Sequence, residues 1–280
     1  MFLSFSNFLI AACAGIGAAT TGMPEISIIV DDIGYDYAQG RQIIELPGAF
    51  AFAVLPFAPR TKDLAKLAND LGKDVILHLP MEAQKNNHLL GPGALRMQMT
   101  QDEIKTRFQE SLAAVPYAIG VNNHMGSRLT GELEPMLWLM QEIQTHANLF
   151  FVDSRTIQDS LALREARLAN IPSVPRDVFI DNIQTRAHLT AQLARLVKQA
   201  KTHGHALGIA HPHEVTIDVL RDWRPADSNV ALIKLSEYVK KYRNAAEPKS
   251  RGLRRSYPPP SKGGKQGQHP KTTENPYTQR

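Results

Sequence analysis

From Ile26 the chain places four apolar residues in five positions, "ISIIV", and then meets two adjacent aspartates and a glycine, "DDIG". The run is β-branched and does not alternate, the pattern of a strand covered on both faces, as in parallel sheets. Such a strand does not hold Asp31 and Asp32 inside, so they are expected just past its carboxyl end. Neighbouring carboxylates there repel, and the remedies are a metal ion, a basic partner or a shared proton. The plain alternative is an Asp-Asp-Ile-Gly turn with both charges solvated.

The alternation of strand-like and helix-like segments continues from there. "AFAVLPF" (Ala51–Phe57) reads as a second strand. "TKDLAKLANDLG" sets Leu64, Leu67, Ala68 and Leu71 on one helical face and closes on Gly72. A third strand over Asp74–Pro80 runs into a long polar loop over 81–99, long enough to carry function. "TQDEIKTRFQESLAAV" opens with Thr100 and Glu103 in capping-box register and repeats Ile104, Phe108, Leu112 and Val115 down one face. Further strands are "AIGVNNHMGS", "LFFVDSRT", "PSVPRDVFID" and "HALGIAHPH", separated by "ELEPMLWLMQEIQTHA", "DSLALREARLAN" and "TRAHLTAQLARLVKQAKTHG", with a last helix around "VALIKLSEYVKKY". Repeated β-then-α units mean parallel strands with right-handed crossovers. Seven of them predict a barrel with fewer than the usual eight strands, or else an open doubly wound sheet. No G-x-G-x-x-G or Walker A loop is present, so no dinucleotide or P-loop nucleotide site is indicated.

Composition changes this picture only at the ends. The 280 residues are 43% hydrophobic, enough for a substantial core in one domain, taken here as 23–246. The net charge of +5 comes from residues 247–280, where eight Lys/Arg face two Glu, so the remainder stands near −1. That Pro, Gly, Ser and Lys-rich tail reads as a disordered, solvated appendage, and no nucleic-acid partner is expected. Residues 1–22 are apolar and rich in small residues, like an export signal or anchor remnant, with "IAAC" ending at Cys13 resembling a lipobox. No Lys or Arg appears before Arg41, and a mis-chosen start is an equal alternative. Export to the periplasm or cell envelope of a bacterium is the expectation, with membrane contact only through this segment. One cysteine permits no internal disulfide.

If the strands are parallel, their carboxyl ends share one rim, where loops of α/β proteins assemble sites. The residues standing there are Asp31 and Asp32, His78, Asn122, Asn123 and His124, Asp153 and Arg155, Arg176 and Asp177, and His211 and His213. Two histidines and one carboxylate suit Zn²⁺ or a similar divalent ion and leave positions open for water and substrate. A metal would also separate the two aspartates' tasks, one ligating and the other free to take a proton.

The segments "IIVDDIG", "GKDVILHLPME", "GVNNHMGSRLT", "FFVDSRT", "VPRDVF" and "GIAHPH", in this order, resemble the motifs of the divergent polysaccharide deacetylases, a branch of the carbohydrate esterases with the NodB-homology fold. The resemblance implies a distorted (β/α)7 barrel and metal-dependent removal of acetyl groups from an acetylated polysaccharide. It assigns Asp31 as catalytic base, Asp32 and His78 as metal ligands, and His211 as general acid with Asp153 orienting it. Glu82 stands where the classical pattern has a second metal histidine, so His124 is expected to supply the third ligand. Arg155 or Arg176 would replace the classical arginine beside the base, with Asn123 and Glu82 on the substrate.

Two other classes remain open on the sequence. A deacetylase-like barrel with weakened catalysis would serve as a glycan-binding or envelope-assembly protein, and Glu82 is the kind of change that produces one. An unrelated metal-dependent hydrolase of amides or phosphoesters differs only in substrate, although the lack of a second carboxylate-rich cluster argues against a two-metal phosphatase.

Overall fold

The computed structural model describes residues 22–244; the signal-like residues 1–21 and the basic tail lie outside them. Strands β1 (Glu25–Ile33), β2 (Ala51–Val54), β3 (Asp74–Met81), β4 (Ala118–Met125), β5 (Phe150–Asp153), β6 (Ser173–Pro175), β7 (Val178–Phe179), β8 (His205–Ala210) and β9 (Ala231–Leu232) form one all-parallel sheet. Its path is β6-β5-β4-β3-β2-β1-β8-β7, with β9 added on β1.

β6 and β7 are one extended stretch, read from sequence as a single sixth strand, and it divides its pairing. Ser173–Pro175 follows β5, and Val178–Phe179 follows β8. Between them, Arg176 N donates to Asp153 O and Asp177 N to Leu207 O, each at 2.9 Å. The two ends of the sheet path therefore meet through one broken strand, and seven strand positions curl into the expected distorted barrel. β9 pairs Glu25 and Ile26, ahead of Ile29 where β2 begins.

Strand alternation separates two cores. Ile26, Ile28 and Val30 pack outward, with Leu77, Leu79, Val121 and Phe151, against the helices. Ile29, Ala51, Ala53, Ile76, Val152, Val174, Leu207 and Ile209 fill the barrel with Phe150. Gly120 makes room for that ring, since a Cβ there would sit 2.3 Å from it. Helix α8 (Leu235–Tyr242) plugs the amino end: Leu235, Tyr238 and Val239 join the interior core, and Asp74, at the start of β3, accepts from Ser236 N at 2.7 Å.

The other helices are α1 (Tyr37–Ile44), α2 (Thr61–Asp70), α3 (Gln101–Ala114), α4 (Leu133–Gln144), α5 (Ala162–Leu168), α6 (Arg186–His203) and α7 (Glu214–Asp222). The capping box of α3 forms as its sequence predicts, with Glu103 N donating to Thr100 Oγ1 and Thr100 N to Glu103 Oε2. α2 buries Leu64, Ala65 and Ala68, whereas Leu71, expected on the same face, is its exposed carboxyl cap. α1 and α7 are short helices that the apolar pattern did not announce; α1 even carries Gly40, which lets it approach Leu64 of α2. The last helix begins at Leu235 because Ala231–Leu232 are taken by β9. Among the described residues no helix is long and apolar enough to cross a membrane.

Candidate active site

The site begins with a break in alternation. Ile29 and Asp31 face the barrel interior, and a regular strand would send Asp32 to the opposite face. Instead Asp32 adopts φ 58°, and the β1/β2 register shifts between Val30 and Ile33. This bulge turns both carboxylates toward one place. It also corrects the expected boundary: β1 runs through both aspartates, and Asp31 is only 3% exposed.

β3 and β4 present their inward residues opposite them. His78 and Asn122 are register partners, and His124 lies one inward step further on. Asp32 Oδ1 stands 3.1 Å from His78 Nε2 and 2.9 Å from His124 Nδ1, and the two nitrogens are 3.2 Å apart. Ligand atoms around a tetrahedral zinc ion, each about 2.0–2.2 Å from the metal, lie roughly 3.3 Å from one another. The triangle therefore has the size of one face of such a site. Asp32 Oδ1 is also buried without a hydrogen-bond partner, a cost that a cation removes. The residues present thus fit a divalent ion.

Asn122 sets the tautomer of His78. Its Nδ2 donates to Asp31 Oδ1 at 2.8 Å, so its Oδ1 faces His78 Nδ1, at 2.7 Å, and accepts from it. The proton then resides on Nδ1, and the Nε2 lone pair points into the triangle.

Across the site, His211 extends from the end of β8. Its Nδ1 is 3.0 Å from Asp181 Oδ1, and its Nε2 points back to Asp32 Oδ2 at 3.9 Å. Asp181 is itself fixed, accepting from His211 N at 2.6 Å and Thr216 Oγ1 at 2.9 Å. His213 stacks near His211 and meets Gln184, but with Asp181 so engaged these three residues gain no second metal assignment.

The electrostatics divide the two aspartates. Burial raises Asp31, against the charges of His78 and His211 and the bond from Asn122. Burial also presses Asp32 upward, but the imidazoles of His124 and His78 close beside it prevail and hold it well below the usual carboxylate range. His211 is lowered by burial, yet the Asp181 bond and the charges of Asp32 and Asp31 outweigh this and push it up to about 9. All these groups except Asn122 and Asp181 line a cavity of about 640 Å³, with Tyr35, Leu89 and Phe179 at its apolar border.

The family model described as divergent polysaccharide deacetylase matches residues 28–239, from the β1 run to α8. The chain belongs to this family. It is 35% identical over 218 residues to the uncharacterized protein YibQ of Escherichia coli K12, covering 77% of this chain and 67% of that one. An uncharacterized Haemophilus influenzae protein is 31% identical over 215 residues, covering 77% and 76%. In shape, an uncharacterized Agrobacterium tumefaciens C58 protein superposes with a TM-score of 0.74 at 21% identity, over 79% of this chain and 91% of its own.

In this member of the family, several residues occupy other positions than the sequence led us to expect. Asp153 does not orient His211. It follows inward-facing Val152, so alternation turns it outward, where it accepts from Arg155 N, Ser160 Oγ and Leu163 N at 2.8, 2.9 and 3.3 Å. Asp181 holds the orienting position, at the true end of the broken sixth strand.

Glu82 is not on the cavity wall. Its buried carboxylate accepts from Arg128 Nη1 and Met97 N, both at 3.0 Å, clamping the loop after β3 to the one after β4. Asn123 does line the cavity, but its amide is spent on Met125 O (2.8 Å) and Ser154 N (2.9 Å), which leaves it shaping the rim rather than holding a ligand.

Arg155 and Arg176 both border the cavity. Arg176 directs its fork to the carbonyls of Ser154 and Arg155, at 2.6 and 2.8 Å, and the amide beside Asp31 is that of Asn122. Asp177 lies within the break of the sixth strand, where it accepts from Leu207 N at 2.8 Å.

Proposed function

We propose that this protein is a metal-dependent hydrolase that removes acetyl groups from a polysaccharide. The observation that carries the reading is the convergence of Asp32 Oδ1, His78 Nε2 and His124 Nδ1 at separations of 2.9–3.2 Å, beside a buried second carboxylate. Two imidazoles and one carboxylate suit Zn²⁺ or a similar divalent ion. Bound there, the ion would supply Lewis acidity toward the acetyl carbonyl and an entering water.

The remaining work belongs to the chain. Asp31, held at Oδ1 by Asn122, takes a proton from the attacking water at its other oxygen. Burial raises its affinity for that proton. The water oxygen bonds to the acetyl carbon, and the bond from that carbon to the sugar nitrogen or oxygen breaks. His211, turned by Asp181 so that Nε2 faces the site, gives its proton to the departing sugar atom, and acetate is released. The apolar border of Tyr35, Leu89 and Phe179 suits the faces of sugar rings.

A catalytically weakened, glycan-binding barrel is the rival reading, and it drew on Glu82 in place of a ligand histidine. His124 Nδ1 supplies a third donor independently of Glu82, which favours the enzyme. The proposal also takes the protein outside the cytoplasmic membrane, where such polysaccharides lie, on the strength of the apolar signal-like start of the chain. An acetate-release screen over chitin oligomers, peptidoglycan fragments and acetylated exopolysaccharides tests it. Release that is lost in Asp31→Asn supports the reading; release that persists undiminished in that variant overturns it.

A further inference from the structure

We infer that Asn122 is a positioning residue whose single amide couples the base Asp31 to the cation ligand His78. The inference rests on the function proposed above. Asn122 is fully buried, and both ends of its amide are in use. Oδ1 accepts from His78 Nδ1 at 2.7 Å; Nδ2 donates to Asp31 Oδ1 at 2.8 Å and reaches Ser154 Oγ at 3.4 Å.

The arrangement works in one orientation only. Rotating the amide by half a turn would set Oδ1 against the Asp31 carboxylate, two acceptors face to face, and NH₂ against the Nδ1 proton of His78. The burial of Asn122 on a strand between both partners makes that conflict costly. The amide therefore fixes two things together: which nitrogen of His78 offers its lone pair, and which oxygen of Asp31 is left to receive a proton.

It also answers for the arginine that the family resemblance places beside the base. Arg176 comes near, but its fork is committed to backbone carbonyls, and a neutral amide has the contact with Asp31. Base and ligand are thus held by one rigid, uncharged link, so a small change in it acts on both.

Two substitutions separate the two ends. Asn122→Asp keeps an acceptor for His78 Nδ1 and removes the donor to Asp31. Asn122→Leu removes both at similar volume. Zinc affinity is read by competition with a chelating dye, kcat and KM by acetate release at pH 8, and folding by thermal melts. For Asn122→Asp, zinc affinity stays within about threefold of wild type, while kcat falls about 100-fold at little-changed KM. For Asn122→Leu, zinc affinity falls about 10- to 100-fold and activity falls with it.

Wild-type kcat in Asn122→Asp, or equal losses of zinc affinity and kcat there, overturns the inference even where the leucine variant does not fold. So does wild-type zinc affinity in a folded Asn122→Leu. A wild-type protein that neither binds zinc nor releases acetate overturns the proposed function and this inference with it. Functional wild type with unchanged variants overturns this inference alone.

Discussion

Asp181 grips His211 twice, through the ring at Nδ1 (3.0 Å) and through the backbone N–H (2.6 Å). A carboxylate that holds both the ring and the main chain of one histidine fixes where its other nitrogen points. Here that nitrogen faces the two aspartates at the end of β1.

Removing this grip leaves His211 in place but misdirected. Asp181→Ala is expected to lower kcat for acetate release by about 100-fold with little change in KM, since proton transfer is lost and binding is not. Steady-state kinetics on an acetylated oligosaccharide, alongside the metal content of the variant, check this; the metal content should be unchanged.

The same relationship sets a pH dependence. Burial lowers His211, but the Asp181 bond and the neighbouring aspartates raise it to about 9, so it is protonated and able to donate at neutral pH. kcat should fall on the alkaline side as this proton is lost, with the limb moving below 9 when a cation neutralises Asp32. Its effect on stability has a definite sign. The folded state holds this proton more tightly than the unfolded chain, whose histidine titrates near 6.5. The stabilisation is complete below pH 6.5 and is lost as pH rises through 9, at most about 3 kcal/mol. Denaturant unfolding of metal-free wild type and His211→Gln at pH 6 and pH 10 measures it: the gap between the two proteins should narrow at the higher pH.

Glu82 is a clamp between two rim loops, and its loss should be felt in folding. Glu82→Ala strands Met97 N and one end of Arg128, and an unmade buried hydrogen bond costs about 1–3 kcal/mol. Chemical denaturation should show a loss of this order. Restoring the classical residue with Glu82→His should not tighten zinc binding, because the side chain at this position faces the loops and not the triangle.

These cases mark what could be read from the sequence and what could not. The strands were visible as β-branched runs, and the histidines at their ends came together because parallel strands put those ends on one rim. The meeting of Asp32, His78 and His124 at one rim therefore follows from the order of the strands. Asp153 was misplaced by one step of alternation: the inward residue there is Val152, and the pleat turns its neighbour outward. Asp181 had a signal of the kind that drew attention to Asp31, an apolar run ending in aspartate, "VFID". Assigning the rim of the sixth strand to Arg176 and Asp177, in the middle of "PSVPRDVFID", leaves Asp181 out. The divided pairing of β6 and β7 puts Arg176 and Asp177 at the break between them and Asp181 beyond the end of β7. The bulge that brings Asp32 inward, and the link through Asn122, are matters of backbone geometry that residue types do not encode.

The central claim is that Asp32, His78 and His124 hold a divalent cation on which acetate release depends. Elemental analysis of purified wild type and His124→Ala, on the same samples assayed for acetate release, tests it most directly. The account predicts one equivalent of zinc or a similar divalent metal in the wild type, with metal and activity both lost in the variant. Acetate release by metal-free wild type, or equal metal content in the two proteins, would contradict it.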